Sequence, residues 1–145
     1  MLRVSDILRH KGFSVVTVEP SLIVLDLIAL LATHGIGAAV VSSDGVHADG
    51  IVSERDVVRA LAAQGADALG MTVDEVCTRE VETADPSDPL DRIMAVMTER
   101  RFRHLPVVVD GRLHGLVSIG DVVKARVGEL EMEQTALTTY ITTGR

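Results

Sequence analysis

Tryptophan is absent from the 145-residue chain, and one tyrosine and two phenylalanines are its only aromatic residues. A chain so poor in rings has no broad platform on which the bases of a single strand can stack. Positive charge is scarce as well: 14 Lys and Arg face 21 Asp and Glu, a formal net charge of −7. A polyanion is repelled at long range, although screening over roughly 8 Å at physiological salt lets a local basic cluster act alone. Both scarcities count against nucleic acid as a partner. Cys77 is the single cysteine, which excludes an intrachain disulfide and a cysteine-rich zinc site. No signal-peptide pattern opens the sequence, so the expected compartment is the cytoplasm. The longest apolar stretch, SLIVLDLIALLATHGIGAAVV at residues 21–41, is interrupted by Asp26 and His34 and broken by Gly35 and Gly37. It never accumulates the twenty apolar residues of a membrane span.

What the chain does have is aliphatic bulk. Apolar residues make up 47% of it, enough for one ordinary domain or two very small ones packed from Val, Leu, Ile, Ala and Met. The order within that bulk is a repeat. A shift of 66 places lays Thr17 on Thr83, Pro20 on Pro86, Ser21 on Ser87, Ala29 on Ala95, Val41 on Val107 and Asp44-Gly45 on Asp110-Gly111. One deletion changes the shift to 65, after which Gly50, Val52, Ser53, Asp56, Val57, Val58 and Ala60 fall on Gly115, Val117, Ser118, Asp121, Val122, Val123 and Ala125. Ahead of the copies, VSDIL at residues 4–8 and VDEVC at residues 73–77 share apolar ends around an acidic middle, a short helical lead-in for each. The chain divides into residues 1–65, residues 72–127 and an extension over 128–145, with the glycines of GADALGM at residues 65–71 as a linker.

Each copy reads as strand, helix, strand, strand, helix, an α+β pattern. PLDRIMAVMTERR at residues 89–101 places Leu90, Ile93, Met94 and Met97 on the stripe of a half-buried helix. Its counterpart at residues 22–33 is apolar nearly all round, and a second subunit is expected to cover it. LPVVV and LHGLVS flank Asp110-Gly111-Arg112, a hairpin signal. Helices follow over residues 54–63 and from 120 onward, with Ser53 and Ser118 at or next to their N-caps. Val123, Val127, Leu130, Gln134, Leu137 and Ile141 then alternate steps of four and three, a short heptad seam weakened by Gly128 and TTYITT. The seam has three possible places: its own module, a dimer, which is favoured, or a partner protein.

The duplicated motif is GIVSERD at residues 50–56 and GLVSIGD at residues 115–121. A Ser hydroxyl at a helix N-terminus can donate to a phosphate or sugar oxygen, and the unpaired amides there attract anions. Asp three residues on lies on the same face and can accept from two ribose hydroxyls. The same residues also cap helices and complement the macrodipole with no ligand at all. Capping alone would accept Thr, Asn or Asp for the Ser and Glu for the Asp, so the identical choice in both copies favours a nucleotide. Catalysis has less support. Gly115 precedes Ser118 by three residues rather than the two of a nucleophile elbow, and the repeated Asp orients no histidine. No P-loop, paired acids or redox signature appears. His10, His47 and His114 lack metal-ligand spacing, and Cys77 reads as a small buried hydrophobe.

On this doubled motif and on RFRHLPVVVDGRLHGLVSIGDVV at residues 101–123, the sequence resembles a tandem pair of cystathionine-β-synthase (CBS) domains, the unit called a Bateman module. The resemblance runs from the first lead-in to about residue 127. It implies two βαββα repeats about a pseudo-twofold axis, two clefts between them, and adenine nucleotides or S-adenosylmethionine as the usual ligands. Carried across by position, it implies a first cleft of Ser53, Arg55 and Asp56 opposite Val81, Thr83, Arg101, Arg103, His104 and Pro106. The second would set Ser118 and Asp121 opposite Val15, Thr17, Gly35, Ile36, Gly37, Ala38 and Ala39. Arg103 and His104 offer charge and directional donors whereas Gly37 and Ala38 offer backbone and space, so a phosphorylated nucleotide is expected in the first cleft. The expected function is a non-catalytic regulatory module, needing no cofactor, that binds AMP, ADP or ATP, or else S-adenosylmethionine or NAD. It is expected to be a homodimer that signals to an unidentified protein partner. The other reading is a structural homodimer or interaction module with no bound nucleotide.

Overall fold

The computed structural model describes residues 1–142, and the last three residues of the 128–145 extension lie outside it. The chain begins with α1 (Val4–Lys11), β1 (Thr17–Val18), α2 (Val24–His34), β2 (Ala38–Val41), β3 (Gly50–Ser53) and α3 (Glu54–Gln64). It continues through the short helix α4 (Val73–Val76), α5 (Leu90–Arg100), β4 (His104–Val109), β5 (Arg112–Ser118) and α6 (Ile119–Thr142). β1 pairs parallel to β2, and β2 antiparallel to β3. β4 and β5 form the expected hairpin. Its turn holds Asp110 at φ 50° and Gly111 at φ 77°, the left-handed pair that a two-residue turn of this hand requires.

Two departures from the sequence reading have local causes. The first strand of the second copy shrinks to a single parallel bridge between Ala84 and Val107. In the first copy the Val40 amide donates to the Val16 carbonyl (3.1 Å) and the Ser42 amide to that of Val18 (2.9 Å). Pro106 stands where the first copy has Val40 and has no N–H to give, so the ladder closes after one rung. The linker at residues 65–71 is a 3-10 helix, Gly65–Gly70, rather than an open connection. Ala68 is fully buried there, so the glycines serve a packed turn.

Burial follows the repeat but exchanges the lead-ins. Val18, Val24, Leu27, Ala39, Val41 and Val52 make the first core together with Val73 of α4. Leu90, Ile93, Met97, Leu105, Val107 and Val117 make the second together with Val4, Ile7 and Leu8 of α1. The Ser5 amide donates to the Pro86 carbonyl and that of Val4 to Asp88, while the Asp74 amide donates to Pro20 and that of Val73 to Leu22. Each lead-in therefore docks on the opposite repeat through the same two bonds.

This crossing accounts for the repeated glycine. A Cβ on Gly50 would lie 2.7 Å from the Thr78 carbonyl oxygen, and one on Gly115 would lie 2.7 Å from Cδ2 of Leu8. Thr78 is fixed by a reciprocal pair of bonds with Ile51 (2.9 and 2.8 Å), whereas the Leu8 tip can turn. Gly50→Ala is accordingly expected to cost about 1–3 kcal/mol in urea unfolding, the range of core overpacking, and more than Gly115→Ala. Equal costs would place the constraint elsewhere.

Candidate ligand-binding cleft

The edge strand β3 delivers Ser53 to the start of α3, where a reciprocal cap forms. The Asp56 amide donates to Ser53 Oγ (3.4 Å), while the Ser53 amide (2.8 Å) and hydroxyl (3.2 Å) donate to Asp56 Oδ2. Asp56 is only 9% exposed, yet its second oxygen, Oδ1, receives just the Thr78 hydroxyl at 3.4 Å. Thr78 arrives on the exchanged lead-in. One side of a fixed, buried carboxylate thus keeps accepting capacity.

An open cleft of about 580 Å³ lies over this cap. Arg55 and Arg59, one turn apart on α3, line it from one repeat; Arg101 and Arg103, in the connection between α5 and β4, and His104, the first residue of β4, line it from the other. Arg101 closes α5 in the left-handed conformation, φ 58°, where the first copy closes α2 with Gly35 at φ 62°. A non-glycine residue there is uncommon and costs energy, and the strain aligns with the cleft wall. Four arginines face two carboxylates, Glu54 and Asp56, along the cleft of a chain whose net charge is −7. None of the four forms an ion pair among the described residues. Such an arrangement focuses a positive potential on a site framed by an accepting carboxylate. His104 titrates below the ordinary histidine range, first through burial and then through the Lys11 ammonium and Arg103. Among the described residues no group of three or more His, Cys, Asp or Glu could hold a metal ion.

Of the residues expected in the first cleft, Ser53, Arg55, Asp56, Val81, Arg101, Arg103 and His104 line it together. Thr83 is exposed outside it, and Pro106 is buried within β4. The second set does not come together. Gly37 and Ser118 line the first cleft instead. Thr17 opens on a separate groove beside Glu19 and Asp26, and Ile36 with Gly35 on an apolar one between α2 and α3. Val15 is half-buried, and Ala38 and Ala39 are enclosed in β2.

Asp121 repeats the cap, accepting from the Ser118 amide (2.8 Å) while its own amide donates to Ser118 Oγ (3.1 Å). Its carboxylate, however, holds the Lys11 ammonium at 2.6 Å, and Lys11 also donates to the Leu116 carbonyl at 2.8 Å. Burial pushes the Asp121 carboxyl up, but Lys11 and Ser118 outweigh it and hold it below the usual range. The lead-in that crosses to the second repeat thus ends on its carboxylate. Arg59, Thr78 and Lys11 stand outside the residues indicated by the doubled motif. Arg59 could have been found four residues after Arg55 on one helical face; Thr78 and Lys11 depend on the crossing.

The CBS domain family matches residues 4–63 and 73–128. The CBS domain-containing protein CBSX3, mitochondrial, of Arabidopsis thaliana is 35% identical over 97% of this chain and 72% of its own length. The crystal structure of the CBS-domain containing protein ATU1752 from Agrobacterium tumefaciens superposes with a TM-score of 0.83 at 46% identity, covering 86% of this chain and 99% of that one. CBSX2 in complex with AMP has a TM-score of 0.73 at 27% identity, over 88% and 98% of the two chains. The CBS domain pair of MJ0100 in complex with 5-methylthioadenosine and S-adenosyl-L-methionine has a TM-score of 0.79 at 25% identity, over 89% and 98%.

The position of His104 fixes a sign for acid. Its folded pKa lies below the ordinary 6.5, so between those values the unfolded chain binds the extra proton. Stability is complete above the unfolded value and falls as pH drops toward the folded one. His104→Gln is expected to flatten that fall as pH drops below about 6.5, measured by urea midpoints; an unchanged slope would assign it to other groups.

Proposed function

This chain belongs to the CBS domain family, as two copies in tandem, and from that premise we propose that it is a non-catalytic regulatory module for a phosphorylated adenine nucleotide. The observation that carries this reading is the convergence of Arg55, Arg59, Arg101 and Arg103, without ion-pair partners among the described residues, beside the half-satisfied Asp56 carboxylate. The carboxylate suits the two ribose hydroxyls. The guanidinium groups suit phosphate, which they can grip through paired donors. Ser53 holds Asp56 in place while offering its own hydroxyl at the rim. The AMP complex of CBSX2 supports this ligand class. S-adenosylmethionine fits this cleft less well, because its sulfonium would face four arginines, although MJ0100 was solved with it. Asp121, the corresponding acid of the second repeat, is held by Lys11 instead.

Binding of this kind signals through shape and stability: ligand at a hundred times its dissociation constant adds about 2.7 kcal/mol to the folded state. A homodimer goes with the reading, since Val58 on α3 is 63% exposed in an apolar groove and Leu25 on α2 is 52% exposed. Thermal-shift measurements with AMP, ADP, ATP, NAD and S-adenosylmethionine are expected to rank phosphorylated nucleotides first. Asp56→Ala is expected to weaken the response by roughly tenfold or more in affinity, as when a charged hydrogen-bond partner is lost, and Asp121→Ala much less. Equal or reversed losses contradict the assignment of the cleft, and no shift with any of the five favours a module that works without nucleotide.

A further inference from the structure

α6 is longer than its module needs. Its burial is concentrated in the first turns: Val122 is buried and Ala125 half-buried, whereas every residue from Glu131 to Thr142 is exposed. Those twelve residues hold four threonines, poor helix formers, and an isolated helix so short is marginal in water. Along one face the apolar residues Val123, Val127, Leu130, Leu137 and Ile141 are between 47% and 68% exposed. Their spacing is that of a two-helix seam, with Gln134 at the remaining position.

The flanking charges say what covers the seam. Lys124 and Arg126 lie near the start of the helix, and Glu129, Glu131 and Glu133 follow within two turns. Arg126 already holds Asp91 (3.4 Å) and Glu129 (2.6 Å) of its own chain while remaining 39% exposed. Laid parallel, two such helices would set basic turn beside basic turn and acidic beside acidic. Laid antiparallel, they set each basic turn against an acidic one. We propose that α6 docks antiparallel on α6 of a second copy of this chain, centred between Gly128 and Glu129. In that register Val127 packs on Leu130 of the second copy, and Val123 on its Gln134. Lys124 faces Glu131 of the second copy at one flank, and Arg126 faces its Glu133 at the other. The last turns of the second helix then run back over Ile119, itself 46% exposed. This goes beyond the nucleotide reading and stands whether or not the cleft fills.

The test uses the full chain in sedimentation equilibrium at low salt. Lys124→Glu with Arg126→Glu is expected to raise the dimer dissociation constant by roughly tenfold or more, four attractions having become repulsions. Adding Glu131→Lys and Glu133→Lys is expected to restore it, with far-UV circular dichroism showing each variant folded. In a Cys77→Ser background, Val127→Cys chains mixed with Leu130→Cys chains are expected to cross-link on oxidation. Leu137→Cys alone is expected not to, since antiparallel helices hold those positions roughly 25 Å apart. A wild-type monomer, a dissociation constant unmoved by the first pair of changes, or ready cross-linking through Leu137→Cys overturns the proposal.

Discussion

Two short segments cross between the repeats, and the rest of the molecule depends on their doing so. α1 leaves the first repeat to bury Val4, Ile7 and Leu8 in the second, and α4 buries Val73 in the first. Each core is thus completed by a segment from the other half of the chain, although the sequence is written twice. The crossing points are also the glycines of the doubled motif, because a side chain there would strike the segment passing over it. The motif therefore carries two constraints in seven residues: a gap for the crossing chain at its start and a capped helix at its end.

What the crossing segments bring with them makes the two halves unequal. The segment over the first repeat places the Thr78 hydroxyl on Asp56, a neutral contact that leaves the carboxylate its charge. The segment over the second places the Lys11 ammonium on Asp121, which neutralises that carboxylate and occupies it. Symmetric backbones thus present one available acid and one spent one. The arginines follow the same division: Arg101 and Arg103 occupy the connection where the first copy has Gly35 and Gly37. In an acidic chain, those residues gather positive potential over the available acid.

The duplication, the hairpin at Asp110-Gly111 and the capped helices were legible because each rests on local chemistry: period, turn residues and N-cap identity; the residues that gather around the first cavity were instead implied by the family resemblance. The losses share a cause in tertiary placement. Pro106 was placed at the cleft by the resemblance, and in the structure its missing N–H and its burial make it the residue that shortens a strand. The second cleft was implied by the resemblance, whereas Asp121 differs from its counterpart Asp56 in holding Lys11, which lies 110 residues away in sequence. GADALGM looked like a linker because glycine marks both flexible and tightly turned chain, and burial of Ala68 settles which applies.

Calorimetric titration of the 145-residue chain with ADP tests the inequality of the two acids most directly. One nucleotide per chain, bound with an affinity that falls as salt rises, is the predicted result. Two equivalent sites per chain, or no heat of binding at all, would contradict it.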